Sequence, residues 1–209
     1  MIDSYRKLSI AKYDEIKKIM EKDAEDIDKQ VELIACLADM DANAVYNLPL
    51  TKYEDMVEKV AFLYELPKPK SVLPSKLVIG DFKYRIMKNV EKMTTGQYID
   101  LQTYLKNDMG VAYILTTIII PDGCEYDDGE YNIDDLQKDI YNNLNIEDAL
   151  SIAFFLHRKL QHTIKGTLRF LDWMMKKQEK KMPMEQRTKM KEAREKLKGL
   201  EISGTGSIW

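Results

Sequence analysis

Two histidines are the first candidates for chemistry, because imidazole serves both in metal binding and in acid–base catalysis. His157 and His162 are five positions apart. On a helix this spacing gives a net rotation of about 140°, so the two rings diverge and cannot share a metal ion. No HExxH pattern surrounds them. The spacing therefore favours ordinary helical histidines over a metal site.

An acidic stretch at residues 122–135 invites comparison with a calcium loop. An EF-hand loop needs glycine at its sixth position and acidic ligands at positions one, three and five. Placing Gly129 at position six puts Cys124 at position one, where it cannot serve as a ligand. We therefore expect no bound metal, and a loop that is solvated or faces a basic partner. Asp127 and Asp128 are its candidate contact residues.

Enzymatic motifs are missing from the sequence. No P-loop, dinucleotide-binding glycine motif or G-x-S-x-G elbow occurs. Cys36 and Cys124 each lack a nearby cysteine or histidine. Their isolation argues against a disulfide framework or a zinc site and favours a reducing compartment. The sequence predicts a protein that is not an enzyme and that has no cofactor.

The most informative pattern is a repeat of hydrophobic framework residues. Residues 8–13 (LSIAKY) reappear as residues 93–98 (MTTGQY), an offset of 85 positions (93 − 8). In each copy an aliphatic residue precedes a hydroxyl residue, and a tyrosine follows that hydroxyl four places later. A second similarity pairs 47–50 with 143–146, and 60–63 with 152–155.

The predicted fold is mainly α. Two related helical units, at residues 1–66 and 91–160, are joined by a proline-rich linker and a short β-hairpin at 67–90. A long, basic C-terminal helical arm follows at 161–200, with Gly166 as a weak point in its helix, and a flexible tail follows at 201–209.

Polar residues mark the predicted helix starts, because their side chains can accept hydrogen bonds from the first free amides of a helix. The candidate N-caps are Ser9, Asp41, Thr51, Thr94 or Thr95, and Asn145.

The apolar run at residues 111–120 is ambiguous. Its residue types suit a buried strand, whereas the corresponding stretch at 31–40 has helical periodicity. The repeat therefore predicts a helix for both stretches.

A β-hairpin is predicted at residues 76–86. Two β-prone runs, KLVI and FKYRI, flank Gly80 and Asp81. Glycine tolerates the positive φ of a tight primed turn. Because an isolated hairpin is barely stable, we expect it to pack on a helix or to pair with a strand of another chain. Gly80, Asp81 and Phe82 are candidate partner contacts.

Charge is distributed unevenly along the chain. The net charge is −3, yet residues 157–198 contain 14 lysines and arginines against 5 acidic residues. An acidic body with a basic arm indicates an electrostatic partner, either nucleic acid or an acidic protein surface, although a solvated helix rich in lysine is the simpler alternative. The candidate contacts are Lys176, Lys177, Lys180, Lys181, Arg187, Lys189, Lys191, Arg194, Lys196 and Lys198.

Ile208 and Trp209 follow a glycine- and serine-rich stretch. Tryptophan is a preferred anchor in protein interfaces, so we expect this pair to insert into a pocket on a partner or a neighbouring subunit. The alternative is a frayed segment with an incidental tryptophan.

Three framework motifs carry a family resemblance. They are Leu8-Ser9-x-x-Lys12-Tyr13, then NLPL at 47–50 with AFLY at 61–64, then Met93-Thr94-x-x-Gln97-Tyr98-Ile99-Asp100-Leu101. Together they resemble small helical proteins of tailed bacteriophages, especially those of gut Bacteroides phages, including crAss-like phages. The resemblance covers roughly residues 8–175 and implies a virion component near the portal and tail, or a tail-assembly chaperone.

The expected function is therefore that of a non-enzymatic phage structural protein, present in several copies near the portal, neck, tail or capsid interior. It would be made in the host cytoplasm and reside in the virion, as a homo-oligomer or ring that contacts other phage structural proteins, with non-specific DNA contact left open. No membrane association is expected, since no apolar run approaches the roughly 18–20 residues that span a bilayer. The alternatives are a tail-assembly chaperone absent from the mature virion and a cytoplasmic nucleic-acid-binding protein.

Overall fold

A computed structural model describes residues 1–70, 72–179 and 195, and of residues 163–179 it describes the backbone alone. Within these residues the fold is mainly helical with one small antiparallel sheet, which confirms the predicted class. The helices are α1 (Ile10–Met20), α2 (Asp26–Ala38), α3 (Ala42–Tyr46), α4 (Leu50–Val60), α5 (Thr95–Lys106), α6 (Val111–Thr116), α7 (Ile133–Asn143) and α8 (Ile146–Glu179). The strands are β1 (Lys76–Ile79), β2 (Phe82–Ile86) and β3 (Ile119–Pro121). Short 3₁₀ helices lie at Tyr5–Lys7, Ala61–Tyr64 and Val90–Lys92.

Residues 1–88 and 93–154 form one compact unit, while residues 89–92 group with residues 155–179. In the first unit, α2 packs against α1, α3 and α4, and α6 packs against α5 and α7. Helix α1 also packs against α7, so segments from both predicted helical units share one core.

Side-chain caps explain where several helices begin. Ser9 Oγ accepts a hydrogen bond from the Lys12 amide at 3.2 Å, and Asp41 Oδ1 accepts one from the Asn43 amide at 2.8 Å. Asn145 Oδ1 likewise accepts one at 2.9 Å from an amide in the first turn of α8. Each bond satisfies a helix amide that has no partner within its helix, and these three predicted caps are confirmed.

Helix α5 begins with a capping box. Thr94 Oγ1 accepts from the Gln97 amide at 3.2 Å, and Gln97 Oε1 accepts from the Thr94 amide at 2.8 Å. This reciprocal pair selects Thr94 over Thr95 as the cap.

The predicted cap at Thr51 is wrong. Helix α4 begins at Leu50 and its N-cap is Pro49, whose carbonyl accepts hydrogen bonds from the Lys52 and Tyr53 amides at 2.9 and 3.1 Å. The helical ladder therefore starts two residues earlier than the hydroxyl suggests, and Thr51 lies inside the first turn.

The hairpin is confirmed, and a third strand extends it to the order β1-β2-β3. Leu77, Ile79, Tyr84 and Ile86 are buried on one side of this sheet, and α7 packs against β1. The hairpin thus obtains its support from a helix and a strand of its own chain.

The helix predicted across residues 111–120 is wrong in its second half. Helix α6 ends at Thr116, and residues 119–121 form β3, which pairs with β2 so that Ile120 lies opposite Arg85. Ile119 and Ile120 are both buried. The β-branched residues follow their strand preference here because β2 offers a free edge to pair with.

The start of the repeat has the same backbone hydrogen bonds in both copies, 85 positions apart (94 − 9). Tyr13 N donates to Ser9 O at 3.0 Å and Tyr98 N donates to Thr94 O at 3.1 Å. Just before them, Lys7 N donates to Ser4 O at 3.1 Å and Lys92 N donates to Asn89 O at 3.1 Å. The local structure therefore recurs with the offset that the sequence pattern predicts.

The later similarity holds for only one of its two parts. Residues 47–50 and 143–146 both lead into a helix, α4 and α8 respectively. The proposed match of 60–63 with 152–155 is wrong, because Ala61–Tyr64 is a 3₁₀ helix that follows α4, whereas 152–155 lie inside α8.

Candidate protein-contact surface

The tip of the hairpin is formed by the predicted contact residues Gly80, Asp81 and Phe82. Gly80 has φ of +56°, in the left-handed region that favours glycine. A Cβ at this position would meet nothing closer than 3.8 Å, so backbone conformation rather than space requires glycine here. Asp81 is exposed and Phe82 is 66% exposed.

The buried side of the sheet is tied to α7 by Tyr84. Its hydroxyl donates a hydrogen bond to the carboxylate of Asp139. Burial, and then this hydrogen bond to an acidic group, raises the pKa of Tyr84, so the phenol stays protonated and remains a donor. This contact fixes the sheet on the helix and leaves the other side of the hairpin outward.

The acidic loop forms ion pairs with two basic side chains of the hairpin. Lys76 Nζ lies 2.7 Å from Asp122 Oδ2, and Arg85 Nη2 lies 3.1 Å from Glu125 Oε1. Arg85 also donates to the carbonyl of Cys124 at 2.6 Å. The hydrogen bond from Lys76 lowers the pKa of Asp122. Two of the basic groups that the acidic loop faces therefore belong to its own chain.

Asp127 and Asp128, predicted as partner contacts, are both exposed. The Asp128 carboxylate accepts hydrogen bonds from the Glu125 and Glu130 amides at 2.6 and 3.0 Å, and these bonds lower its pKa. Asp127 has φ of +55°. Asp128 therefore holds the turn in shape, and Asp127 occupies the turn's left-handed position.

Two tyrosines complete the anchoring of this loop. The Tyr126 hydroxyl donates to Asp100 Oδ2 in α5 at 2.7 Å, and burial raises the pKa of Tyr126. Tyr131 is partly buried, which raises its pKa, and its hydroxyl accepts a hydrogen bond from the Asp127 amide at 3.5 Å. Sequence patterns had missed both residues as anchors, although aromatic residues spaced among acids were their visible signal.

Four exposed apolar side chains lie in the hairpin or in the ten residues before it. Leu66, Val72, Val78 and Phe82 are each at least 66% exposed. We call this set the apolar strip. Strand β1, which carries Val78, pairs only with β2 within the described residues, so its second edge offers free backbone groups. Exposed apolar side chains together with an unpaired strand edge make this segment a candidate docking surface.

The other predicted site residues lie wholly or partly outside the described residues. Lys176 and Lys177 lie on the backbone of α8, which continues through Gly166, but their side chains are not described. The remaining predicted contacts are beyond the described residues: Lys180, Lys181, Arg187, Lys189, Lys191, Arg194, Lys196, Lys198, Ile208 and Trp209.

The histidines show one local contact. His157 Nε2 lies 2.8 Å from the side-chain nitrogen Nε2 of Gln161, and His162 is exposed. Across residues 1–70, 72–179 and 195, no group of three or more histidine, cysteine, aspartate or glutamate side chains is placed to hold a metal ion. Over the same residues, no helix combines the length and apolar character needed to cross a bilayer.

Comparison with known proteins found no match among protein-family models, curated proteins or solved structures. Any functional conclusion therefore depends on the surface just described and on the sequence motifs.

Proposed function

We propose that this chain is a non-enzymatic structural protein of a tailed bacteriophage, incorporated in several copies near the portal, neck, tail or capsid interior. Its two related helical segments would supply a rigid body, and the apolar strip would bind a neighbouring structural protein.

The observation that carries the proposal is the exposure of the four apolar side chains of the apolar strip together with the unpaired edge of β1. Burying four such side chains in a partner would gain about 1.5–3 kcal/mol each before the costs of association. Beside them, β1 can add a strand from a partner, since its outer backbone groups are unpaired within the described residues. The phage setting comes from the framework motifs at 8–13, 47–50 and 93–101.

The decisive experiment is a quantitative mass spectrum of purified phage particles. A structural protein must be present at a fixed number of copies per particle. Absence from purified particles would end the virion proposal.

A variant connects that result to the apolar strip. In phage that carry Val78→Glu, we expect the protein content of particles to fall at least about tenfold, because a charge in an interface core leaves an unpaired buried group. Ile27→Glu is the matched control, since Ile27 is also an exposed aliphatic residue but lies on α2. Equal incorporation of both variants would remove the strip from the interface.

A tail-assembly chaperone is the second candidate, favoured by the same apolar strip, because a chaperone must expose apolar surface to shield its client. Such a protein would be abundant in infected lysate, missing from particles, and co-purified with a tail protein.

The nucleic-acid-binding alternative depends on the basic arm. Retention on DNA that collapses with rising salt would support it.

A further inference from the structure

One short contact joins the two copies of the repeat. The residues before α1 pair with those before α8: Ile10 N donates to Leu144 O at 3.2 Å, and Ile146 N donates to Leu8 O at 2.7 Å. Ser9 and Asn145 lie between these bonds as an antiparallel bridge. We call this pairing of residues 8–10 with 144–146 the closed contact.

All four apolar residues of the closed contact are buried. Leu8, Ile10, Leu144 and Ile146 are each at most 3% exposed. The contact therefore joins two helix N-termini through paired backbone groups with an apolar seal around them. It joins the start of the first copy to the end of the second.

The repeat contains a second, equivalent pair of segments, and these are not hydrogen-bonded to each other. By the offsets of the repeat, residues 93–95 correspond to 8–10, and residues 48–50 correspond to 144–146. Among the described residues, the amides of Leu50 and Thr95 and the carbonyls of Leu48 and Met93 have no hydrogen-bond partner. We call residues 48–50 and 93–95 the open segments.

The closed contact and the open segments also differ in the exposure of their side chains. Leu50 is 69% exposed, whereas its counterpart Ile146 is 2% exposed. On α5, Ile99 is 57% exposed. Its counterpart Asp14 accepts a hydrogen bond at 3.1 Å from Tyr141 in α7, across the closed contact. An exposed apolar residue thus lies within one open segment, at Leu50, and four residues beyond the other, at Ile99.

Proline at position 49 is compatible with the same pairing. Pro49 corresponds to Asn145, the central residue of the bridge, whose own amide is not used in the closed contact. The amides that the pairing needs belong to Leu50 and Thr95, each the first residue of a helix and so without a partner in that helix.

We propose that residues 48–50 of one protomer bind residues 93–95 of a second copy of this chain, in the geometry of the closed contact. The new bonds would run from Thr95 N to Leu48 O and from Leu50 N to Met93 O. This deepens the multi-copy part of the proposed function, on which it rests, by naming the surface between copies.

The arrangement has a necessary consequence for assembly. Each chain contributes one open segment of each kind, so the interface is heterologous, and repeated association gives a ring if the rotation closes and a filament if it does not. The apolar strip is not used in this interface and stays available for other proteins.

The test is the mass of the purified full-length chain by sedimentation velocity and light scattering, up to about 100 μM, a range that detects micromolar dissociation constants. Species heavier than the 24.4 kDa protomer are expected. Leu50→Asp and Ile99→Lys should each weaken association at least about tenfold, because each places a charge in the contact. Aspartate suits the first turn of a helix and lysine suits its interior, so both variants should fold.

Ile27→Lys is the matched control, because Ile27 and Ile99 are both 57% exposed. Its association should equal that of the unmodified chain. Circular dichroism of every variant establishes that the helical content is unchanged.

Mixing the two variants tests the head-to-tail order. Leu50→Asp retains an intact 93–95 segment and Ile99→Lys retains an intact 48–50 segment, so one contact can still form between them. The mixture should therefore give a heterodimer and nothing larger.

A chain that stays monomeric up to about 100 μM would overturn the proposal, as would variants that associate as well as the control or a mixture that forms no dimer. None of these outcomes depends on the presence of the protein in phage particles, so this inference and the virion proposal can fail separately.

Discussion

The starts of α1 and α5 have nearly the same backbone and very different surroundings. Ser9 and Thr94 cap the two helices with side-chain bonds of 3.2 Å each. Yet Ile10, the residue after the first cap, is 1% exposed, whereas Thr95, the residue after the second, lies on the surface. Capping is thus a local property that the repeat preserves, while burial depends on whether another segment docks there.

The starts of α4 and α8 teach the same lesson from the other side. Leu50 and Ile146 are equivalent aliphatic residues at the first position of their helices, and only Ile146 has residues 8–10 packed against it. Substitutions at equivalent positions of the two copies can test such differences, and the largest effect is expected at the buried position.

Removal of the buried aliphatic side chain should have the largest effect. Ile146→Ala should lower the free energy of unfolding by about 2–5 kcal/mol, because it leaves a cavity in the closed contact. Leu50→Ala should change it by less than about 0.5 kcal/mol, since the side chain is exposed. Urea unfolding followed by circular dichroism measures both, in the Ile99→Lys background so that association does not contribute. Equal losses would show that the two sites do not differ as described.

Gln97 should show the next largest effect. It is fully buried, accepts from the Thr94 amide and donates to the Thr117 carbonyl at 3.0 Å. Gln97→Leu removes a donor to a buried carbonyl and should cost about 1–3 kcal/mol. Lys12→Leu, the equivalent change in the first copy, should stay within about 0.5 kcal/mol, because the ion pair of Lys12 is with the exposed Glu15. A similar cost for both in urea unfolding would contradict this difference.

Removal of either cap should lower the free energy of unfolding by the same amount, because the local structure of the two helix starts is alike. Ser9→Ala and Thr94→Ala should each lower the free energy of unfolding by about 1 kcal/mol, through loss of one hydrogen bond to a helix amide. Chemical unfolding supplies the values, and Thr95→Ala serves as the neutral neighbour. If only one cap matters, the local structures are less alike than their hydrogen bonds indicate.

The smallest effect concerns the acidic loop, which the first copy lacks. Hydrogen bonds from two amides lower the pKa of Asp128 below its ordinary value of 3.8. A lowered pKa means that the loop's stabilisation is present above pH 3.8 and is lost as the pH falls through the folded-state pKa. The amide chemical shifts of Glu125 and Glu130 should titrate below pH 3.8, and Asp128→Asn should abolish this titration. An inflection at or above that pH would contradict the assignment.

Much of the local structure could be predicted from residue types. The Gly80-Asp81 turn, the caps at Ser9, Asp41 and Asn145, and the mainly helical fold follow from short-range rules and are confirmed. The cap at Thr51 failed because Pro49, with its fixed φ, starts the helix first.

The failures at longer range have a different origin. Residues 119–121 become a strand because β2 presents an edge beside them, and no sequence periodicity encodes that proximity. Lys76 and Arg85 could not be recognised as partners of the acidic loop either, since 46 and 40 positions of chain separate Lys76 from Asp122 and Arg85 from Glu125.

By itself, the sequence determined the local structure: where helices start, where the hairpin turns, and that residues 8–13 and 93–98 adopt the same conformation. These depend on φ preferences, on side-chain oxygens within three residues of a free amide, and on apolar periodicity. Only the tertiary structure decided which copy is covered. One pair of segments meets, at residues 8–10 and 144–146, and leaves 48–50 and 93–95 open. Burial depends on contacts between distant parts of the chain, which equivalent sequences do not make equivalently.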